Sequence, residues 1–144
     1  MKIRAILATK GTNVITIHPD QPLRDAARLL AKHNIGALVV VDEAHDLVGI
    51  ISERDIIRAS ARLEDALSQP VGQSMTREVI TGLPQDDLVA VMDTMTERRF
   101  RHLPIMDQGE LVGIISIRDV VKYQRDQYKG EIDTLETQII ADED

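Results

Sequence analysis

The residues of this chain that could bind a small anion or a polyol lie in a four-residue segment that occurs twice. Residues Ser52 to Asp55 and Ser116 to Asp119 both read Ser-x-Arg-Asp, and each segment joins an apolar run to a helical pattern. The Asp carboxylate offers acceptor oxygens to a vicinal diol such as that of a ribose, whereas a helix start and an arginine favour a phosphate. The same spacing is also a capping box, worth about 1 kcal/mol to a helix.

Two features favour a nucleotide monophosphate over a plain helix cap. Gly49 and Gly113 each precede the serine by three residues, inside apolar runs where glycine weakens packing. They predict the close approach of another main chain or of a ligand. Arg54 and Arg118 recur at the same place, which capping does not require. These arginines either reach a phosphate or cover the site.

Other catalytic and cofactor motifs are missing from the sequence. It contains no Gly-x-Gly, no Gly-Lys-Ser/Thr and no cysteine, which excludes a Rossmann fingerprint, a P-loop and a thiolate metal site. His18, His33 and His45 have no metal-ligand spacing. We therefore predict that the chain is not an enzyme and that it has neither a metal site nor a catalytic cofactor.

An internal repeat places the two Ser-x-Arg-Asp segments in equivalent positions. An offset of 65 residues aligns 14–42 with 79–107, and an offset of 64 aligns 47–58 with 111–122, where eight of 12 residues are identical. Each copy reads as strand, helix, two strands and helix by its apolar pattern. Units of this size cannot bury a sufficient core alone, so we expect an α+β fold in which two β-α-β-β-α repeats pack about a pseudo-two-fold axis and leave clefts between them.

This organisation predicts five segments. They are an N-terminal segment (1–13), a first repeat (14–59), a linker that crosses between the copies (60–78), a second repeat (79–123), and a C-terminal amphipathic helix with an acidic tail (124–144).

A basic stretch from Arg98 to His102 belongs to only one of the two copies. The residues that align with Arg99, Arg101 and His102 in the first copy are uncharged: Asn34, Gly36 and Ala37. We expect Arg98 to be a solvated residue at a helix C-terminus. The remaining asymmetry predicts two clefts of related shape and unequal charge. Lys10 either places an ammonium group near a phosphate or is an exposed linker lysine.

Composition narrows the classes of partner. The 144 residues carry a net charge of −7, and because residues 131–144 hold six acids and no base, residues 1–130 carry only −1. A nearly neutral body disfavours a nucleic-acid surface. No apolar run reaches the length of a membrane span, and the N-terminus lacks a secretory pattern. We expect a cytoplasmic protein that binds neither nucleic acid nor membrane.

The repeated Gly-Ile-Ile-Ser-x-Arg-Asp, preceded in each copy by Val-Ile-Thr-x-x-Pro, a helix and an apolar strand ending in Asp, resembles a tandem pair of CBS domains, the Bateman module. The resemblance covers residues 14–122 and implies a stand-alone CBS domain-containing protein. Members of that family often dimerise and bind adenosine-containing ligands between the repeats. The resemblance therefore implies a regulatory ligand, AMP first and ATP, ADP or NAD(H) as alternatives.

The resemblance also implies individual roles by position. Asp55 and Asp119 would hold the ribose hydroxyls, with Ser52 and Ser116 beside the phosphate or ribose. The adenine would be bordered by Thr16, Ile17 and Ile51 in one cleft and by Thr81 and Ile115 in the other. Residues that precede the middle strand can reach the phosphates in this family, which implicates Arg99, Arg101 and His102, with Arg54 and Arg118 as further candidates.

The C-terminal residues Tyr128, Ile132, Leu135 and Ile139 are spaced four, three and four, which predicts an amphipathic helix with a narrow apolar stripe. We expect this stripe to pack on a second copy of the chain and form a homodimer. Two functions remain open from the sequence. One is a sensor that binds adenine nucleotides and signals to an unknown downstream protein; the other is a dimerising scaffold that needs no ligand.

Overall fold

The structure, a computed structural model, describes residues 1–11 and 13–143, with side chains through residue 139. Its helices are α1 (Ile3–Lys10), α2 (Leu23–His33), α3 (Glu53–Arg62), α4 (Val71–Ser74), α5 (Leu88–Arg98) and α6 (Ile117–Glu143). Its strands are β1 (Thr16–Ile17), β2 (Ala37–Val41), β3 (Leu47–Ser52), β4 (His102–Asp107) and β5 (Glu110–Ser116), and a 3-10 turn covers Ala66–Ser68. The α+β class and the duplicated unit predicted from the sequence are confirmed.

The first repeat forms a three-stranded sheet in the order β1-β2-β3. Strand β1 is parallel to β2, and β2 is antiparallel to β3. All five residues of β2 are buried, as expected for a continuous apolar run covered on both faces. The side chains of α2 that face the sheet, Leu23, Ala26 and Leu30, join β2 in one apolar core. The predicted hairpin is therefore present, with residues 42–46 as its polar loop.

The second repeat departs from the predicted pattern, because its first strand is reduced to one isolated parallel bridge between Gly82 and Ile105. The aligned pair in the first repeat, Ile17 with Val40, belongs to a two-residue strand. The extension of that strand needs an N–H at the position of Val39, which is Pro104 in the second copy and has none. Strands β4 and β5 form the remaining two-stranded sheet.

The segment before each repeat packs into the core of the other repeat. Helix α1, which precedes the first repeat, buries Ile3, Ile6 and Leu7 in the core of the second. The end of the linker, with Val71 and Met75, lies in the core of the first. The two repeats are therefore interlocked by their leading segments. The helix at the N-terminus is not among the five segments expected from the sequence.

Gly49 and Gly113 are the places where these crossing segments approach most closely. A Cβ on Gly113 would lie 2.5 Å from Leu7 Cδ2, and a Cβ on Gly49 would lie 2.6 Å from Met75 Sδ and 3.0 Å from the Thr76 carbonyl oxygen. The close approach predicted from these glycines is thus made by the chain itself, and they no longer argue for a ligand.

Helix α6 has 27 residues and continues well past the second repeat. The predicted apolar stripe is present on it, since Tyr128, Ile132, Leu135 and Ile139 are between 55% and 60% exposed. Residue 144, the end of the predicted acidic tail, lies outside the described residues. In the described part of the chain, no helix combines the length and apolar character that crossing a membrane requires.

Candidate functional site

Both Ser-x-Arg-Asp segments form capping boxes at the start of a helix. The Ser52 N–H donates to Asp55 Oδ2 over 2.9 Å, and the Asp55 N–H donates to Ser52 Oγ over 3.3 Å. The second copy repeats this exchange between Ser116 and Asp119 at 2.9 and 3.1 Å. The capping interpretation is therefore confirmed, and the geometry of each carboxylate decides whether it can also bind a ligand.

Capping uses one oxygen of the Asp55 carboxylate and leaves the other free. Oδ2 accepts from the Ser52 N–H and from Ser52 Oγ at 3.0 Å. Within the described residues no hydrogen bond reaches Oδ1. A carboxylate oxygen that faces a cavity can accept from a hydroxyl group without disturbing the cap.

That carboxylate lies in a cavity of about 500 Å³ that is formed by both repeats. The first repeat contributes Ser52, Arg54 and Asp55, and the second contributes the stretch from Arg99 to His102. The remaining lining residues are Gly36, Ile50, Glu53, Ile57, Arg58 and Thr76. We call this space the first cleft. Its volume is within the range of pockets that hold drug-sized ligands. The first repeat lines it with both acidic and basic side chains, and the second repeat with basic ones.

His102 lies between the two repeats and senses charges from both. Burial lowers its pKa, and the Lys10 ammonium and the Arg101 guanidinium lower it further, while Glu53 and Asp119 act in the opposite direction. The resulting pKa lies below the ordinary histidine value, so the imidazole is mostly neutral at neutral pH. A neutral imidazole in a basic pocket can donate to an anion or gain a proton beside it.

The second Ser-x-Arg-Asp turn differs from the first because a lysine occupies its carboxylate. Lys10 Nζ donates to Asp119 Oδ2 over 2.6 Å and to the Ile114 carbonyl oxygen over 2.7 Å. Burial raises the pKa of Asp119, but hydrogen bonds from Lys10 and from the Ser116 N–H outweigh burial and hold that pKa below its usual value. Lys10 is exposed, as one of the two interpretations had it, but it is the last residue of α1 and not part of a linker.

The other residues predicted from the sequence lie outside the first cleft. The side chains of Ile17, Ile51 and Ile115 are buried in the two cores, so only their main chain is placed to border a base. Thr16 is half-buried in β1. Thr81 lines a separate cavity of about 190 Å³ beside α5, and Arg118 is exposed at the start of α6. Their contacts with a ligand stay predictions.

Several lining residues of the first cleft were missed by sequence reasoning. Ile50 lines the cavity. Neighbouring residues of a strand point to opposite sides, so an Ile51 that faces the core places Ile50 on the other side of the strand. The sequence could have given this signal. Thr76 reaches the cleft because its main chain pairs with Ile50 in both directions, at 2.9 and 3.0 Å. A pairing between linker and strand leaves no local pattern in the sequence.

Comparison with known proteins identifies the repeat. A model of the CBS domain matches residues 3–62 and 71–126. The CBS domain-containing protein YhcV of Bacillus subtilis is 37% identical over 117 residues, which cover 81% of this chain and 82% of that protein. The crystal structure of a CBS-domain-containing protein from Agrobacterium tumefaciens is 40% identical with a TM-score of 0.83, covering 85% of this chain and 92% of that chain.

A further solved structure is the CBS domain pair of protein MJ0100, in complex with 5′-methylthioadenosine and S-adenosyl-L-methionine. It is 30% identical to this chain with a TM-score of 0.79, and the match covers 88% of this chain and 98% of that one. The resemblance seen in the sequence is thereby confirmed. This chain belongs to the CBS-domain family and carries two CBS domains in tandem.

Proposed function

We propose that this chain is a regulatory module that binds an adenine nucleotide in the first cleft. The observation that carries the proposal is the cavity of about 500 Å³ that is lined by Asp55 of one repeat together with Arg99, Arg101 and His102 of the other. A carboxylate and a basic stretch in one cavity match a ligand with a diol at one end and an anion at the other. The complex of protein MJ0100 with two adenosine derivatives supports the same ligand class.

The chemistry of the cleft assigns each end of the ligand. Asp55 Oδ1 accepts from the ribose hydroxyls, while Oδ2 continues to cap α3. Arg101 and His102, which line the same cavity from the second repeat, bind the phosphate. A monophosphate is the smallest ligand that uses both ends, so AMP is the first candidate, ahead of ADP, ATP and NAD(H).

A binding panel tests this proposal directly. A ligand present at 100 times its dissociation constant adds about 2.7 kcal/mol to the free energy of unfolding, which raises the melting temperature by several degrees for a domain of this size. We expect AMP to produce such a shift, with GMP as the control for the base. The absence of a shift with AMP, ADP, ATP, NAD(H) and S-adenosylmethionine would favour the ligand-independent scaffold.

Two matched comparisons separate the ends of the ligand. We expect 2′,3′-dideoxy-AMP to bind about tenfold or more weakly than AMP, since it lacks the hydrogen bonds to the Asp55 carboxylate. This comparison alters the ligand and leaves the helix cap intact. Arg101→Ala should weaken AMP binding by a similar factor, whereas Arg98→Ala removes the same charge from an exposed site outside the cleft and should leave it unchanged.

We also propose that the chain forms a homodimer through α6. The exposed apolar residues of α6 have the spacing of a coiled coil, with intervals of seven, four, three and four residues. They are Val121, Tyr128, Ile132, Leu135 and Ile139, and all five are more than half exposed. An exposed apolar stripe of this length is stabilised when a second copy covers it.

The charges that flank the stripe favour an antiparallel pair. Lys129 and Glu136 lie on the same flank of the stripe, and Glu131 lies on the other. In a parallel pair Glu131 would face Glu136 of the second copy, which is repulsive. In an antiparallel pair Lys129 faces Glu136 of the second copy, which is attractive.

Charge reversal at Lys129 tests both dimerisation and orientation. Lys129→Glu should raise the dissociation constant of an antiparallel dimer about tenfold, because two symmetric attractive pairs become repulsive. The double variant Lys129→Glu with Glu136→Lys should restore it, and Asp126→Lys on the outer face serves as the control. A monomeric wild-type chain in sedimentation equilibrium at micromolar concentration would contradict the dimer, and insensitivity to Lys129→Glu would contradict its orientation.

A further inference from the structure

The two Ser-x-Arg-Asp turns differ in what occupies the space beside their carboxylates. In the second repeat Lys10 Nζ lies 2.6 Å from Asp119 Oδ2 and 2.7 Å from the Ile114 carbonyl oxygen. In the first repeat the equivalent carbonyl, that of Ile50, accepts from the Thr76 main-chain N–H at 2.9 Å instead. Within the described residues no cation pairs with the Asp55 carboxylate.

The position of Lys10 is fixed by the helix that carries it. Lys10 is the last residue of α1, and that helix is anchored in the second core by Ile3, Ile6 and Leu7, which are at most 6% exposed. The Gly11 N–H donates to the Leu7 carbonyl oxygen over 2.8 Å and closes the helix end. The ammonium is thereby held at a high effective concentration beside Asp119.

We propose that Lys10 occupies the space beside Ser116 and Asp119, which we call the second cleft, so that a nucleotide binds beside Asp119 only in competition with the Lys10 ammonium. This inference rests on the proposed function, since it states that a nucleotide binds more readily in one cleft than in the other. The ammonium bonds the Ile114 carbonyl oxygen and Asp119 Oδ2, the oxygen that also accepts from the Ser116 N–H, so it occupies space beside the carboxylate that a ribose would enter. The first cleft, whose Asp55 carboxylate has no cation beside it among the described residues, therefore fills first.

The size of the effect follows from what the ligand must displace. Lys10 is 37% exposed and Asp119 25% exposed, so solvent screens part of the ion pair and the contact can be broken. The two hydrogen bonds involve a charged donor, and their loss corresponds to a factor of about ten in binding. Competition of this size raises the ligand concentration that fills the second cleft about tenfold and does not abolish binding there.

The test follows AMP binding at each cleft in the full chain, read from the amide N–H resonances of Ser52 and Ser116. At pH 8, where the His102 imidazole is neutral with or without Lys10, Lys10→Ala should tighten AMP binding at Ser116 about tenfold and leave binding at Ser52 unchanged. Arg4→Ala is the matched control, because it removes one positive charge from an exposed position of the same helix. Unchanged binding at Ser116 in Lys10→Ala would overturn the inference, and weaker binding would show that Lys10 holds the phosphate instead.

The outcomes for the inference and for the proposed function are distinct. If AMP fails to bind at Ser52 but binds at Ser116 in Lys10→Ala, the proposed function fails and the inference stands. If AMP binds neither cleft in any variant, both fail. A readout without ligand is the pKa of the Asp119 carboxyl group, which should rise in Lys10→Ala; an unchanged pKa would show that the ion pair is not formed and would overturn the inference.

Discussion

His102 of the second repeat lies against Gly36 of the first, with its Nε2 atom 3.1 Å from the point that a Cβ on Gly36 would occupy. Glu53 Oε1 lies 2.9 Å from the same point. The alignment of the repeats pairs Gly36 with Arg101, so a small residue in one copy makes room for the basic stretch of the other. The unequal charge of the two copies is thus part of how they fit together.

We predict that Gly36→Ala displaces His102 and Glu53, because an added methyl group would be tighter than van der Waals contact with both. Both neighbours are ends of side chains that can move, so the cost in unfolding free energy is about 1 kcal/mol, at the low end for overpacking. Urea denaturation measures it. In a His102→Ala background the cost should fall, and an equal cost in both backgrounds would show that His102 is not the obstacle.

The pH dependence of His102 provides a second prediction. Its pKa is lowered in the folded state, so its contribution to stability is complete above the unfolded value of about 6.5 and declines as the pH falls through the folded pKa. An NMR titration of the imidazole Cε1–H should give a pKa below 6.5. Lys10→Ala should raise that pKa and Glu53→Gln should lower it.

Phosphate binding should raise the lowered pKa of His102, because a nearby anion favours the imidazolium form. We expect the pKa of His102 to rise when AMP is bound, and AMP binding to tighten between pH 8 and pH 6. In His102→Gln this pH dependence should disappear. If the pKa of His102 is the same with and without AMP, the phosphate is not beside this side chain.

The sequence was sufficient for the fold because the duplicated pattern is strong. The hairpin runs Ala37–Val41 and Leu47–Ser52 are apolar and bounded by polar residues, so local periodicity determines them. Helix α1 was missed although Ile3, Ile6 and Leu7 have helical spacing, because eight residues seldom form a stable helix alone. Only its packing in the second core stabilises it, and that contact joins distant parts of the chain.

The candidate site was predicted less completely, for a related reason. The polar residues of the first cleft follow from the repeat and its one-sided basic stretch. The ion pair between Lys10 and Asp119 spans 109 residues and depends on α1 crossing to the second repeat. No local pattern encodes a crossing of that kind. The burial of Ile17, Ile51 and Ile115, which the resemblance placed beside the adenine, likewise depends on which side of each strand faces the core.

The two buried glycines should differ in their tolerance of alanine. In Gly113→Ala the three atoms nearest the new methyl group all belong to the Leu7 side chain, whereas in Gly49→Ala they include the main-chain oxygen of Thr76 as well as Met75. A side chain can repack more easily than a hydrogen-bonded main chain. We expect losses of about 1 kcal/mol for Gly113→Ala and about 3 kcal/mol for Gly49→Ala in urea denaturation.

A compensating change separates the two cases. Leu7→Val shortens the side chain that contacts Gly113, and in combination with Gly113→Ala it should recover part of the lost stability. The corresponding Met75→Val change should recover less in Gly49→Ala, since the Thr76 carbonyl remains in place. Equal recovery in both pairs would contradict the role assigned to the Thr76 main chain.

Gly130 provides the opposite case, a glycine whose replacement should stabilise the protein. It lies in the middle of α6, and a Cβ added to it would meet no atom within 4 Å. Alanine is favoured over glycine in a helix by about 1 kcal/mol. When both proteins are heated, Gly130→Ala should therefore retain its helical circular dichroism signal to a higher temperature than the wild type. Gly130 faces away from the apolar stripe, so the added methyl group should also tighten the proposed dimer by stiffening α6. A weaker dimer in Gly130→Ala would mean that the second copy packs against Gly130 itself, and pairing through Tyr128, Ile132 and Leu135 would then be wrong.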